Sequence, residues 1–192
     1  MFYTVLRVII RGILLVWRRW EVIGLEHLPA KGGLVVVSNH VSNLDPVVVG
    51  CALTRRIHFM AKVELFKIPV LATIITLLEA FPVNREKSDR HAIRKALELL
   101  QTGNVVGVFP EGTRSKTGEL QKPHIGAAML AVKANVPILP MALKGTRGSL
   151  DKITVVIGEP VYLPELWRGR PGKEELEALS EQVMGKISGL LE

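Results

Sequence analysis

The feature that most constrains this chain is a set of short aliphatic runs, each closed by a polar turn. Leu34 to Val37 is uninterrupted, Val105 to Phe109 and Ile138 to Leu143 are nearly so, and Ile57 to Ala61 and Ile153 to Ile157 share the character. A strand facing water on one side alternates apolar and polar residues. A continuous run predicts a parallel strand covered on both faces. Between these runs lie segments with helical spacing. Val47 begins one, and Ile68 to Leu78 is an apolar stretch too short to span a bilayer, predicted as a buried or membrane-facing helix. Ser88 or Asp89 caps another, with Ile93, Ala96, Leu97 and Leu100 on one face and Gly103 as its stop. Ile125 to Ala134 is a fourth, and Glu174 to Leu190 carries Leu176, Leu179, Val183, Ile187 and Leu190 at spacings of three and four. Strands alternating with helices predict an α/β fold: a single domain with a mostly parallel sheet flanked by helices. In such sheets ligands bind outside the carboxyl ends of the strands.

The chain of 192 residues is long enough for one full core, and its apolar content of 48% with only 5% aromatics makes that core aliphatic. A formal charge of +7 calls for anionic company: nucleic acid, a lipid surface or a phosphorylated substrate. Nucleic acid is the poorest match, since the sequence has no recognised nucleic-acid motif and no aromatic stacking series. Cys51 is the only cysteine, so no intrachain disulfide forms, and it is expected to pack as a small apolar residue. No two histidines stand at metal-ligand spacing, so no metal site and no cofactor are expected.

The first twenty residues form a unit of their own. At 100° per residue Arg7, Arg11 and Arg18 fall within about 40° of one another, and the rest of the circumference is aliphatic or tryptophan. Residues 1–20 are therefore expected to be an amphipathic helix lying on an anionic membrane surface, its arginines reaching lipid headgroups, with residues 21–192 as the α/β domain. The arginines interrupt any run long enough to span.

Four polar segments fall at predicted strand ends: His40 with Asp45, then Lys62, Arg85, and Glu111 to Arg114. His40 and Asp45 are five positions apart, about 140° round a helix, so a turn must bring them together. Asn39, Ser42, Asn43 and Pro46 supply turn-forming residues. A carboxylate holding one ring nitrogen leaves the other free as a base, although by itself such a pair is also ordinary loop polarity. In Phe109 to Ser115, Gly112 permits a tight turn, Thr113 offers a hydroxyl and Arg114 a planar fork for phosphate oxygens.

Residues 34 to 160 resemble the glycerolipid acyltransferases of the 1-acyl-glycerol-3-phosphate acyltransferase type, in four ordered blocks: NHVSNLD (Asn39 to Asp45), FPVNRE (Phe81 to Glu86), FPEGTRS (Phe109 to Ser115) and VPILPMAL (Val136 to Leu143). Asn84 stands where many members carry Asp, and Glu79 where Gly is common. The resemblance implies acyl transfer from a thioester, carried by coenzyme A or acyl carrier protein, to the sn-2 hydroxyl of lysophosphatidic acid. It implies His40 as base, Asp45 as its orienter, and Lys62, Arg85, Glu111, Gly112, Thr113 and Arg114 as the substrate-binding set. With the arginine-striped helix and a single cysteine that suits a reducing compartment, a place on the cytoplasmic face of the cell membrane, peripheral or monotopic, is expected. The same blocks serve relatives acting on glycerol-3-phosphate or other lysophospholipids, and a non-catalytic anionic-lipid binder is the reading from a different class. A serine hydrolase lacks its G-x-S-x-G elbow here.

Overall fold

The computed structural model describes residues 2–84, 89–163 and 171–192. In chain order these are α1 (Phe2–Arg18), β1 (Glu21–Ile23), β2 (Leu34–Ser38), α2 (Asp45–Ala52), β3 (Ile57–Lys62), α3 (Pro69–Leu77), β4 (Phe81–Val83), α4 (Arg90–Gln101), β5 (Val105–Val108), α5 (Gly126–Ala134), β6 (Ile138–Lys144), β7 (Thr154–Ile157) and α6 (Lys173–Leu191). The seven strands form one sheet in the order β1-β7-β6-β2-β5-β3-β4. Every pairing is parallel except β6 with β7. Parallel pairing carries the carboxyl ends of β2, β3, β4, β5 and β6 to one edge.

The two-sided burial predicted from the aliphatic runs is what β2 shows. Leu34 and Val36 join a core with α1 and α2, while Val35 and Val37 join a second core with α4, α5 and α6 on the opposite face. The fold is an α/β/α sandwich with β2 at its centre. Asp89 caps α4, its carboxylate accepting the N–H groups of His91 and Ala92. Backbone hydrogen bonds hold that carboxyl below its usual range, those of Ala92 and Asn84 first. α2 begins at Asp45, two residues earlier than its apolar pattern, because Pro46 suits the first helical turn.

The N-terminal helix departs from expectation. Its arginine stripe faces the protein. Arg7 donates to the carbonyls of Leu53 and Thr54 at 3.1 and 3.0 Å, and Arg11 lies over the Trp20 ring. Arg18, 5% exposed, donates to the carbonyls of Asp151, Gly145 and Gly148. The reason is long-range: a guanidinium satisfies several carbonyls at once, at the end of α2 for Arg7 and in the loop before β7 for Arg18. What the helix turns outward is apolar, with Val8 61%, Val16 85% and Trp17 62% exposed. None of the helices among the described residues is long and apolar enough to cross a membrane.

Gly107 in β5 packs closely against β3. A Cβ there would lie 2.4 Å from the Phe59 ring. Gly107→Ala is therefore expected to destabilise the fold by about 1–3 kcal/mol through overpacking, read as a lowered denaturant midpoint with an unchanged slope.

Candidate active site

The chain leaves β2 at Ser38 and turns at once, so that His40 stands at the carboxyl edge beside the ends of β5 and β6. The turn is built by Asp45. Its Oδ2 accepts the N–H groups of Val41 and Ser42 at 2.7 Å each, and lies 2.8 Å from Nδ1 of His40. A carboxylate oxygen that already accepts two N–H groups sets Nδ1 as the third donor, which leaves Nε2 unprotonated and basic. Asp45 is wholly buried and His40 is 8% exposed.

Three further contacts fix the imidazole. The His40 N–H donates to Oε1 of Glu111 at 2.8 Å, and the His40 carbonyl accepts from the Ser115 N–H at 2.8 Å. The ring stacks on Phe109 at 3.9 Å between centroids, and Phe109 stacks in turn on Phe59 at 5.7 Å. Asn39 ties the same turn to β6, exchanging both amide hydrogen bonds with the backbone of Leu143.

The site opens on an apolar cavity of about 420 Å³. His40, Phe109 and Lys62 lie on its wall with Ile74, Leu78 and Val47. A base beside a hydrocarbon-lined space suits a reacting group joined to a long apolar chain.

Residues 19–144 match the family model described as acyltransferase. The chain belongs to that acyltransferase family. A 1-acyl-sn-glycerol-3-phosphate acyltransferase of Bacillus subtilis (strain 168) is 33% identical over 88% of this chain and 87% of its own length. One of Borreliella burgdorferi is 30% identical over 74% of this chain and 58% of its own. The crystal structure of the 1-acyl-sn-glycerophosphate (LPA) acyltransferase PlsC from Thermotoga maritima superposes with a TM-score of 0.73, at 31% identity, covering 93% of this chain and 74% of that one.

Within this acyltransferase the sequence-derived residues divide into three groups. His40, Asp45 and Glu111 meet in one buried cluster. Lys62 lies on the cavity wall with its ammonium 3.5 Å from Glu64. Gly112, Thr113 and Arg114 follow Glu111 on the exit loop of β5, with Thr113 and Arg114 exposed. Gly112 has φ 70° and lies under the His124 ring, where a Cβ would approach to 2.8 Å. Arg85 lies outside the described residues. Both oxygens of Glu111 are engaged by protein, since Oε2 accepts the main-chain and side-chain N–H groups of Gln121 at 3.1 and 3.3 Å.

Sequence reasoning missed two contributors to the site. Phe109 is the first residue of its block, but nothing local marks it as the surface on which the imidazole rests. Gln121 has no local signal at all.

Cys51 also lies on the cavity wall, in a buried position that raises its thiol to about 11. Burial disfavours the thiolate, so the thiol stays protonated and unreactive at neutral pH. Alkylation of Cys51 is expected to be slow at pH 7–8 and to accelerate only toward pH 11, measured as mass increase with iodoacetamide. Cys51→Ala is expected to retain acyl transfer.

Proposed function

We infer that this protein transfers a fatty acyl group from a thioester to the sn-2 hydroxyl of 1-acyl-sn-glycerol-3-phosphate, forming phosphatidic acid. The observation that carries the inference is the His40–Asp45 pair at the wall of an apolar cavity, on a chain of this acyltransferase family.

The chemistry follows from the geometry. Nε2 of His40 removes the hydroxyl proton as the alcohol oxygen attacks the thioester carbonyl, and Asp45 steadies the imidazolium that forms. The tetrahedral intermediate then collapses, the C–S bond breaks, and the imidazolium returns its proton to the leaving thiolate. A thioester is already activated, so no acyl-enzyme is needed, and the only cysteine is held protonated. The donor carrier is coenzyme A or acyl carrier protein. Lys62 and Arg114, with Arg85, supply cations for the acceptor phosphate. Glu111 acts as a positioning residue, holding the His40 main chain while Gln121 holds Glu111.

The outer face of α1 serves as a membrane-docking surface. Its apolar residues enter the headgroup boundary, with the helix lying along the surface. The donor is a soluble thioester of the cell interior, which places the domain on the cytoplasmic face.

Thiol release from acyl-coenzyme A, with and without lysophosphatidic acid, tests the reaction. Release that does not depend on the acceptor would refute it, and a panel including glycerol-3-phosphate and other lysophospholipids assigns the acceptor. His40→Ala is expected to lower kcat by about two to four decades in a folded protein, with Asp45→Asn losing much of the same factor without multiplying it. Glu111→Gln is expected to lower kcat with little change in acceptor KM. A rise in KM alone would instead make Glu111 a direct acceptor ligand.

A further inference from the structure

We propose that α3 is a second lipid-facing element, seated on a phospholipid bilayer beside α1 so that the mouth of the cavity opens to lipid between the two helices. This rests on the acyltransferase reading, because a membrane-borne acceptor must reach His40.

α3 carries no charged residue, and it packs mainly on the turn Val63–Lys67 that precedes it. Its inner side lines the cavity through Ile74 and Ile75, opposite Tyr3 and Ile10 of α1. Outward it leaves Ile68 52% and Leu77 41% exposed. Arg56 bridges the two elements, its guanidinium 3.0 Å from Glu79 just beyond α3 and over the Tyr3 ring at the start of α1. α1 and α3 therefore line the same cavity and each turns apolar residues outward beside it.

The occupant follows from the flanks. Lys67, exposed, directly precedes α3, while Lys62 is paired with Glu64, so the apolar strip has a cation at its start that suits anionic headgroups. An uncharged helix with exposed aliphatic residues beside a cation suits shallow insertion into a headgroup boundary.

The test uses the full chain and vesicles of phosphatidylcholine with phosphatidylglycerol. Neither Ile68 nor Leu77 lines the cavity. Ile68→Glu combined with Leu77→Glu is expected to weaken vesicle affinity and activity on bilayer-presented lysophosphatidic acid by about ten-fold, leaving activity on a water-soluble short-chain acceptor unchanged. Unchanged vesicle binding overturns the proposal and leaves the reaction untouched, since binding is read without catalysis. An equal loss on the soluble acceptor overturns it too, making α3 a structural wall. A vesicle-free dimer that the substitutions dissociate, with vesicle binding intact, would assign the face to a second copy. As a check independent of those charges, Ile68→Cys labelled with a polarity-sensitive dye is expected to shift blue on vesicle addition and to be quenched by lipid-borne quenchers. No shift would refute contact. The buried Cys51 leaves the label selective.

Discussion

The active-site architecture depends on one residue's immobility. His40 sits where the central strand ends, and the loop after β5 grips its backbone from both sides, through the Glu111 carboxylate at its N–H and the Ser115 N–H at its carbonyl. Asp45 and Phe109 then settle the ring in plane and tautomer. A general base works only when its lone pair is held within hydrogen-bond reach of the proton it takes. Here that precision comes from two neighbouring parallel strands whose exit loops are cross-linked by buried, charge-assisted hydrogen bonds. Each such contact needs its partner. A buried carboxylate such as Glu111 without the His40 N–H and Gln121 would carry a heavy desolvation cost.

How far the sequence discloses this arrangement depends on the range of each interaction. The central strands are legible because continuous aliphatic runs reflect burial on both faces, a property each strand carries by itself. The His40 turn is legible for a similar reason: Asp45 folds a segment of six residues with its own side chain. Gln121 is not, because its meaning lies in a contact with Glu111 ten positions away across a loop. The arginine stripe of α1 shows a different limit. Periodicity places Arg7, Arg11 and Arg18 on one face correctly, yet it is silent on what that face meets. Long-range carbonyls from Leu53 to Asp151 decide that the stripe turns inward. The consequence for membrane contact is one of kind. With Arg7 and Arg18 spent on protein carbonyls and Arg11 on the Trp20 ring, α1 presents aliphatic surface outward, so the proposed docking rests on apolar insertion more than on charge.

Glu79 carries the same reasoning to a departure from the family pattern. It adopts φ 61°, a left-handed conformation that a glycine reaches without penalty and that costs other residues roughly 1–2 kcal/mol. Its carboxylate meets Arg56 at 3.0 Å and His58 at 3.5 Å. Partly exposed pairs of this kind contribute about 0–1 kcal/mol each, so they offset the backbone cost at best. Net stability therefore does not explain the residue. What it supplies is a link from the end of α3 to β3 and, through Arg56, to the Tyr3 ring of α1. A glycine at the same position would satisfy the backbone and keep the carbonyl contact to His58 at 3.2 Å, but lose the pair with Arg56 that reaches toward α1. Because the link is partly exposed and depends on charge, salt acts on it more strongly than on the buried cluster around His40. His40, the proposed base, is held by the rigid centre of the sheet, and the cavity walls are tied by a weaker, solvent-accessible contact. That division suits a site whose chemistry requires a fixed proton acceptor while its lipid substrates must enter and leave between helices.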